Sequence, residues 1–170
     1  DDRDGANFYK YSFSGADTNN LDGFGHGTHI AGIIGAKSNN RHGIVGINRK
    51  VKLLNVKFLD DLGRGSQFDG AAAIRYAVDR GAKVINCSWG YSRYATVLQD
   101  AVQYALSKGV VIVAAAGNSA SETLEYPAGF DGVVSVGSVD NDLVSSSFSS
   151  YGSNVDFVAG GNQVMSTLPN

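Results

Sequence analysis

Gly25-His26-Gly27-Thr28-His29-Ile30-Ala31-Gly32-Ile33-Ile34-Gly35-Ala36 is the stretch from which the fold is read. It sets an imidazole between two glycines and continues as a helix made almost entirely of Ala, Gly and Ile. Glycine weakens a helix through backbone entropy, by about 1 kcal/mol per residue relative to alanine. A helix so rich in it is held by close tertiary packing rather than by propensity, and is expected at the centre of a domain. His26, in its first turn, then stands rigidly mounted at the edge of that centre with strands nearby, where an imidazole can act as a general base.

Outward from this helix, residues 37–43 form a loop and residues 51–58 read as a strand. Gly63-Arg64-Gly65 breaks the chain, and Ser66 caps the next helix with Asp69 three residues on; that helix runs through Ala71-Ala72-Ala73-Ile74 to a stop at Gly81. Residues 83–89 are a second strand. Residues 96–108 form a helix with Leu98, Ala101, Val102 and Ala105 on one stripe, ending at Gly109. Residues 110–116 are continuously apolar, the mark of a strand covered on both faces. Residues 132–139 and 154–159 are short strands, and residues 145–150, Ser-rich, read as a turn plus an edge strand. Strand and helix alternating at this spacing imply right-handed crossovers and an α/β fold, a three-layer parallel sheet with helices on both faces.

Residues 1–22 are polar and without a sustained period, a long surface loop that Tyr9 and Phe13 pin to the body. The remainder, residues 23–170, is one α/β core. Composition agrees: 170 residues with 43% hydrophobic content bury a sizeable core. A net charge of −2 and scattered basic residues leave no electrostatic case for nucleic acid or an anionic membrane surface. No apolar run approaches the roughly 20 residues of a membrane-spanning helix. The one cysteine, Cys87, lies in an apolar strand and reads as a buried, inert thiol.

Several residues have side chains suited to chemistry. In an open parallel sheet functional groups gather beyond the carboxyl ends of the strands. Asn118, after Ala116-Gly117, offers an amide donor there that could stabilise an oxyanion, though an Asn after a strand is commonly a turn residue. Asp2-Arg3-Asp4-Gly5-Ala6-Asn7 has alternate oxygen side chains, partly what a calcium loop requires, but Ala6 breaks the match and an acidic turn without metal stands beside it. His26, His29 and His42 could in principle form a three-histidine zinc site. A dinucleotide fingerprint is absent, since no strand leads into Gly23-Phe24-Gly25.

Gly25-His26-Gly27-Thr28-His29-Ile30-Ala31-Gly32, Ile85-Asn86-Cys87-Ser88-Trp89-Gly90, Val113-Ala114-Ala115-Ala116-Gly117-Asn118 and Ser166-Thr167-Leu168-Pro169 together resemble, in order and spacing, the subtilisin family of serine peptidases. The resemblance implies that His26 is the triad histidine and Asn118 the side-chain donor of the oxyanion hole. It implies that Ser88-Trp89-Gly90 hydrogen-bonds an extended peptide or protein substrate and walls its side-chain pocket, with Gly117 opposite. Ser38 to Ile44 resembles the family's calcium loop, with Asn40 as side-chain ligand and the carbonyls of His42 and Ile44 beside it; the N-terminal loop resembles a calcium-binding insertion, bringing in Asp2 and Asp4. Secretion is implied in the same way. With Trp89 at the pocket wall and a neutral Ser119 beyond Asn118, a broad or apolar side-chain preference is expected.

Two parts of the family pattern are not found. No strand ending in the triad Asp precedes the histidine motif, and the family's nucleophile follows the segment matching Ser166-Thr167-Leu168-Pro169. The chain is therefore expected to be an internal piece of a subtilisin-like catalytic domain, lacking the first Asp-bearing strand and the Ser-bearing helix, and inactive alone because triad members act as a unit. Its flanks, or a propeptide, are its expected partners. A sheet short of an inner strand should also expose ladder groups and apolar surface. The alternative is a non-catalytic binding protein on a degenerate subtilisin-like fold.

Overall fold

Ala6 and Phe8 are two residues apart and both buried, the period of a strand laid on a core, and in the computed structural model they fall in β1, Ala6–Ser12. The structure describes residues 6–12, 15–17 and 21–169. The expected N-terminal loop is thus corrected over these residues: β1 is followed by β2, Gly15–Asp17, which pairs with it antiparallel. Polar residues around the two apolar positions hid the alternation. Phe8 is buried and anchors the segment, while Phe13 and the Tyr9 side chain lie outside what the structure describes.

The described residues fall into two compact units, Asp1–Ala73 with Met165–Asn170, and Ile74–Val164. The first holds helix α1, His26–Gly35, and strand β3, Val56–Lys57, which runs parallel to β1 with Ala6 opposite Val56 and Asn7 opposite Lys57. The strand expected over residues 51–58 is shortened to two residues because only the start of β1 pairs with it; Val51 and Leu53 remain about 40% exposed. Helix α1 is not fully enclosed. Gly32 is its one buried residue, and among the described residues no strand packs broadly against it.

Helix α2, Gln67–Asp79, starts as the sequence implies. The Asp69 N–H donates to Ser66 Oγ at 3.1 Å while the Ser66 N–H donates to Asp69 Oδ2 at 3.3 Å, a reciprocal cap. It ends before Gly81, whose φ of +84° is cheap only for glycine.

The second unit carries four parallel strands, β4 (Val84–Cys87), β5 (Val111–Ala115), β6 (Val134–Val139) and β7 (Phe157–Gly160), in the order β4-β5-β6-β7. Helix α3, Thr96–Ser107, lies on β5, and its stripe of Leu98, Ala101, Val102 and Ala105 is wholly buried. With Ile112 and Cys87 these side chains form the centre of the core, each large one worth roughly 1.5–3 kcal/mol by burial. On β5, Ile112 and Ala114 are buried while Val111 is 47% exposed: α3 covers one face, and the crossovers β5 to β6 and β6 to β7 are irregular rather than helical. At the sheet's margin β4 pairs, among the described residues, with β5 alone, and Val84 is 61% exposed.

The Ser-rich segment does not form an edge strand. It makes a single bridge, Val139 to Ser145, and then turns inward. Ser146 Oγ lies 2.7 Å from Ser138 Oγ, Ser149 Oγ accepts from the Ser138 N–H, and Ser146, Ser149 and Ser150 are buried. Small hydroxyls that satisfy one another suit a tightly packed turn better than a ladder.

Candidate active site

His26 stands at the first helical position of α1, exposed, directly after Gly25, whose φ of +94° admits the sharp entry. Gly25 has no side chain with which to cap the helix. The cap comes from Asp22: Oδ1 accepts the N–H groups of Gly25 (2.7 Å) and Phe24 (3.1 Å), and Oδ2 accepts the N–H and hydroxyl of Thr28 (2.8 and 2.7 Å). Partial burial pushes the Asp22 carboxyl up, but the bonds from Thr28, Gly25 and Phe24 outweigh it and hold it below the usual carboxylate value. With both oxygens so engaged, Asp22 is a helix cap rather than the partner of an imidazole.

The other end of α1 is closed by tertiary bonds. The N–H groups of Ile47, Asn48 and Gly46 donate to the carbonyls of Ile33, Ile34 and Ala36 at 2.9 to 3.0 Å, satisfying acceptors that a helix end leaves free. The turn before His26 is also held, because Lys57 Nζ donates to the Leu21 carbonyl at 2.7 Å while pairing with Asp61 at 2.9 Å. A glycine-rich helix of weak propensity is thus fixed from both ends.

A third restraint involves the C-terminal segment. Ser166 Oγ donates to the His29 carbonyl at 2.6 Å and Thr167 Oγ1 to the Thr28 carbonyl at 2.8 Å, so the segment 166–169 is clasped to the helix that carries His26. Gly32 permits this approach: a Cβ there would collide with both hydroxyl oxygens and stand 3.0 Å from the Thr167 nitrogen. Leu168 and Pro169 pack against Gly25.

In the second unit Asn118 follows β5 and Gly117, whose φ is +118°. Its side chain is exposed and, among the described residues, free of hydrogen bonds. Its neighbours are held by buried Ser150: the Ser150 N–H donates to the Gly117 carbonyl at 3.0 Å, and Ser150 Oγ accepts from the Ser119 N–H at 3.3 Å. The amide is a loose donor on a fixed mount. Beside it, Ser88, Trp89 and Gly90 extend from the end of β4; Asn86 Nδ2 donates to Ser88 Oγ at 2.8 Å, and the Trp89 ring meets Tyr91 edge-on at 5.8 Å. Gly117 and Gly90 both face the carboxylate of Glu125. Sequence reading passed over Asp22, Ser150 and Glu125, each of which acts across a turn or between segments.

The loop around Asn40 is exposed and oxygen-rich. Asn40 Oδ1 accepts the His42 N–H at 3.1 Å, and among the described residues no backbone N–H donates to the carbonyls of His42 or Ile44. Such acceptors suit a hard cation. Asp2 and Asp4 lie outside the described residues. Among the described residues no three of His, Cys, Asp and Glu gather as a metal would need, so His26, His29 and His42 remain separate. Cys87 is buried as expected, and that burial pushes its thiol up to about 12.

Comparison with known proteins fits this picture. A thermophilic serine proteinase of Bacillus sp. (strain AK1) is 46% identical over 167 residues, 98% of this chain and 42% of that protein. Thermitase of Thermoactinomyces vulgaris is 45% identical over 159 residues, 94% of this chain and 57% of thermitase. Among solved structures, the prenylagaramide maturation protease PagA superposes with a TM-score of 0.78 at 33% identity, over 85% of this chain and 55% of that one. A psychrophilic subtilisin-like protease from Pseudoalteromonas sp. AS-11 gives 0.78 at 37%, over 85% and 34%. The chain spans about half the length of the relatives it matches. The α/β subtilisin-like fold, the ordered motifs and a Subtilase family sequence model that matches residues 1–170 together show that the chain belongs to the subtilase family.

Proposed function

We propose that the protein to which these residues belong is a serine endopeptidase that cleaves peptide bonds through an acyl-enzyme. The observation that carries this reading is that His26 and Asn118 are exposed side chains, unbonded among the described residues, on backbone fixed from several directions. Catalytic groups held this way need little reorganisation as charge develops. His26 accepts the proton of a serine hydroxyl supplied from outside these residues as the oxygen attacks the scissile carbonyl carbon. The Asn118 amide donates to the oxyanion that forms. When the C–N bond breaks, His26 returns the proton to the leaving amine, and it then activates water to release the acid product. Loss of such a donor costs about 10²–10³-fold in turnover, a magnitude carried over from subtilisin.

The reading includes a peptide strand docked along Ser88-Trp89-Gly90 and Gly117, calcium held structurally by Asn40 Oδ1 with the His42 and Ile44 carbonyls, and action outside the cell. Bound calcium would supply stability and no step of the reaction. Residues 1–170 by themselves would be inactive, with the protein's own flanks as their partners. Labelling with a fluorophosphonate tests this: the protein with both flanks should label and the 170 residues should not, and His26→Ala should abolish labelling. A folded long form that stays unlabelled refutes the peptidase reading and favours a binding protein on this fold.

A further inference from the structure

Two glycines and one carboxylate come together at the carboxyl ends of adjacent parallel strands. Gly90 lies beyond the end of β4 and Gly117 beyond the end of β5. Glu125 occupies the space both leave: a Cβ on Gly117 would stand 2.8 Å from its Cδ and 2.9 Å from Oε1, and a Cβ on Gly90 would collide with Oε2. One carboxylate oxygen therefore faces each glycine. The supporting backbone is fixed, since reciprocal bonds of 2.9 Å join Tyr91 and Tyr126, and the Gly129 N–H donates to the Glu125 carbonyl at 2.7 Å. Pro127 is fully buried beneath.

The Glu125 side chain is half-buried, and among the described residues neither a hydrogen bond nor an ion pair engages its carboxylate. A carboxylate so placed has lost part of its water without gaining a cation. The carboxylate is held between two stretches of glycine backbone, and a guanidinium or ammonium at the end of an aliphatic stem brought to these strand ends would meet it there. We propose that Glu125 selects a lysine or arginine side chain on the acyl side of the scissile bond. This rests on the peptidase reading above, and it replaces the broad or apolar preference that Trp89 and Ser119 alone imply. Glu125 is a specificity-determining residue here and takes no part in bond breaking.

The test uses the protein with its flanks, peptide p-nitroanilides differing only in Arg, Lys, Phe or Leu before the cleaved bond, and p-aminobenzamidine as a fluorescent cation. The Arg and Lys substrates should be preferred, and Glu125→Gln should lower the Arg-to-Phe ratio of kcat/KM about a hundredfold, the scale of losing one partner of a desolvated charge pair. Glu125→Asp should retain part of the preference, which a merely misfolded site would not. If the protein labels with fluorophosphonate yet prefers Phe, or Glu125→Gln leaves the ratio unmoved, the specificity assignment is overturned and the peptidase reading stands. If it does not label but binds p-aminobenzamidine in a manner weakened by Glu125→Gln, the cation site stands and the peptidase reading falls. Neither labelling nor Glu125-dependent binding overturns both.

Discussion

Replacing Asp22 by alanine removes the cap that orients the helix bearing His26. Four bonds end on its carboxylate, from Gly25, Phe24, the Thr28 N–H and the Thr28 hydroxyl. The Phe24 group is exposed and rehydrates at little cost, whereas the other three are part-buried. A lost helix cap costs about 0.5–2 kcal/mol, and bonds to a charged acceptor contribute about 1.5–3 kcal/mol when shielded. An effect of about 2–3 kcal/mol follows, or roughly 5–10 °C in melting temperature for a domain of this size. Asp22→Asn keeps an acceptor at one position and should lose about half as much. The carboxyl's folded pKa lies below its unfolded value of about 3.9. Its stabilisation is therefore complete above that value and fades as pH falls through the folded pKa. Urea titrations of wild type and Asp22→Ala at pH 7 and in acid should show the gap closing at low pH, and hydrogen exchange should show the Thr28 amide losing protection. A gap that persists in acid, or an unchanged Thr28 amide, refutes this assignment.

Gly32→Ala raises helix propensity, yet the new Cβ would strike Ser166 and Thr167; the net result should be a loss of about 1–3 kcal/mol and faster proteolysis near residues 165–169, where an increase in stability would show the clasp to be dispensable. Cys87 should resist a thiol reagent in the native protein and react fully in urea, because the thiol is buried and burial disfavours the reactive thiolate. If Asn40 helps hold calcium, a chelator should lower the melting temperature by an amount equivalent to about 2.7 kcal/mol from a free ion concentration of 100 Kd, and Asn40→Ala should abolish that dependence. A melting temperature indifferent to the ion removes calcium from the proposal.

The elements legible in the sequence were those whose signal is local. Helix α3 keeps a 3.6-residue stripe whose four members are all wholly buried. The Ser66–Asp69 cap and the stops at Gly81 and Gly109 likewise depend on residues a few positions apart. Strand β1 was illegible because two buried residues, Ala6 and Phe8, stand in a polar stretch, and its pairing with β3 comes from some fifty residues away. The same non-locality shortened β3: the eight residues 51–58 read as a strand become a ladder only where a partner runs beside them.

The candidate site divides along the same line. His26 and Asn118 were legible because glycines flank or precede them and mark backbone of unusual geometry, seen here as φ of +94° at Gly25 and +118° at Gly117. What holds them was not: Asp22 reaches six residues to Thr28, Ser150 reaches thirty-one to Ser119, and Ser166 reaches 137 to His29. Each of these bonds joins a short polar side chain to backbone, an arrangement any loop serine or aspartate could make, so the residue type alone carries no information about its partner. Glu125 is the sharpest instance. In the sequence it is an acidic residue in a polar loop, a solvated surface charge by default; only the fold sets its carboxylate between the glycines that follow two neighbouring strands. The candidate catalytic groups can thus announce themselves by local backbone demands, while the groups that hold them in place are defined by what the fold brings opposite them.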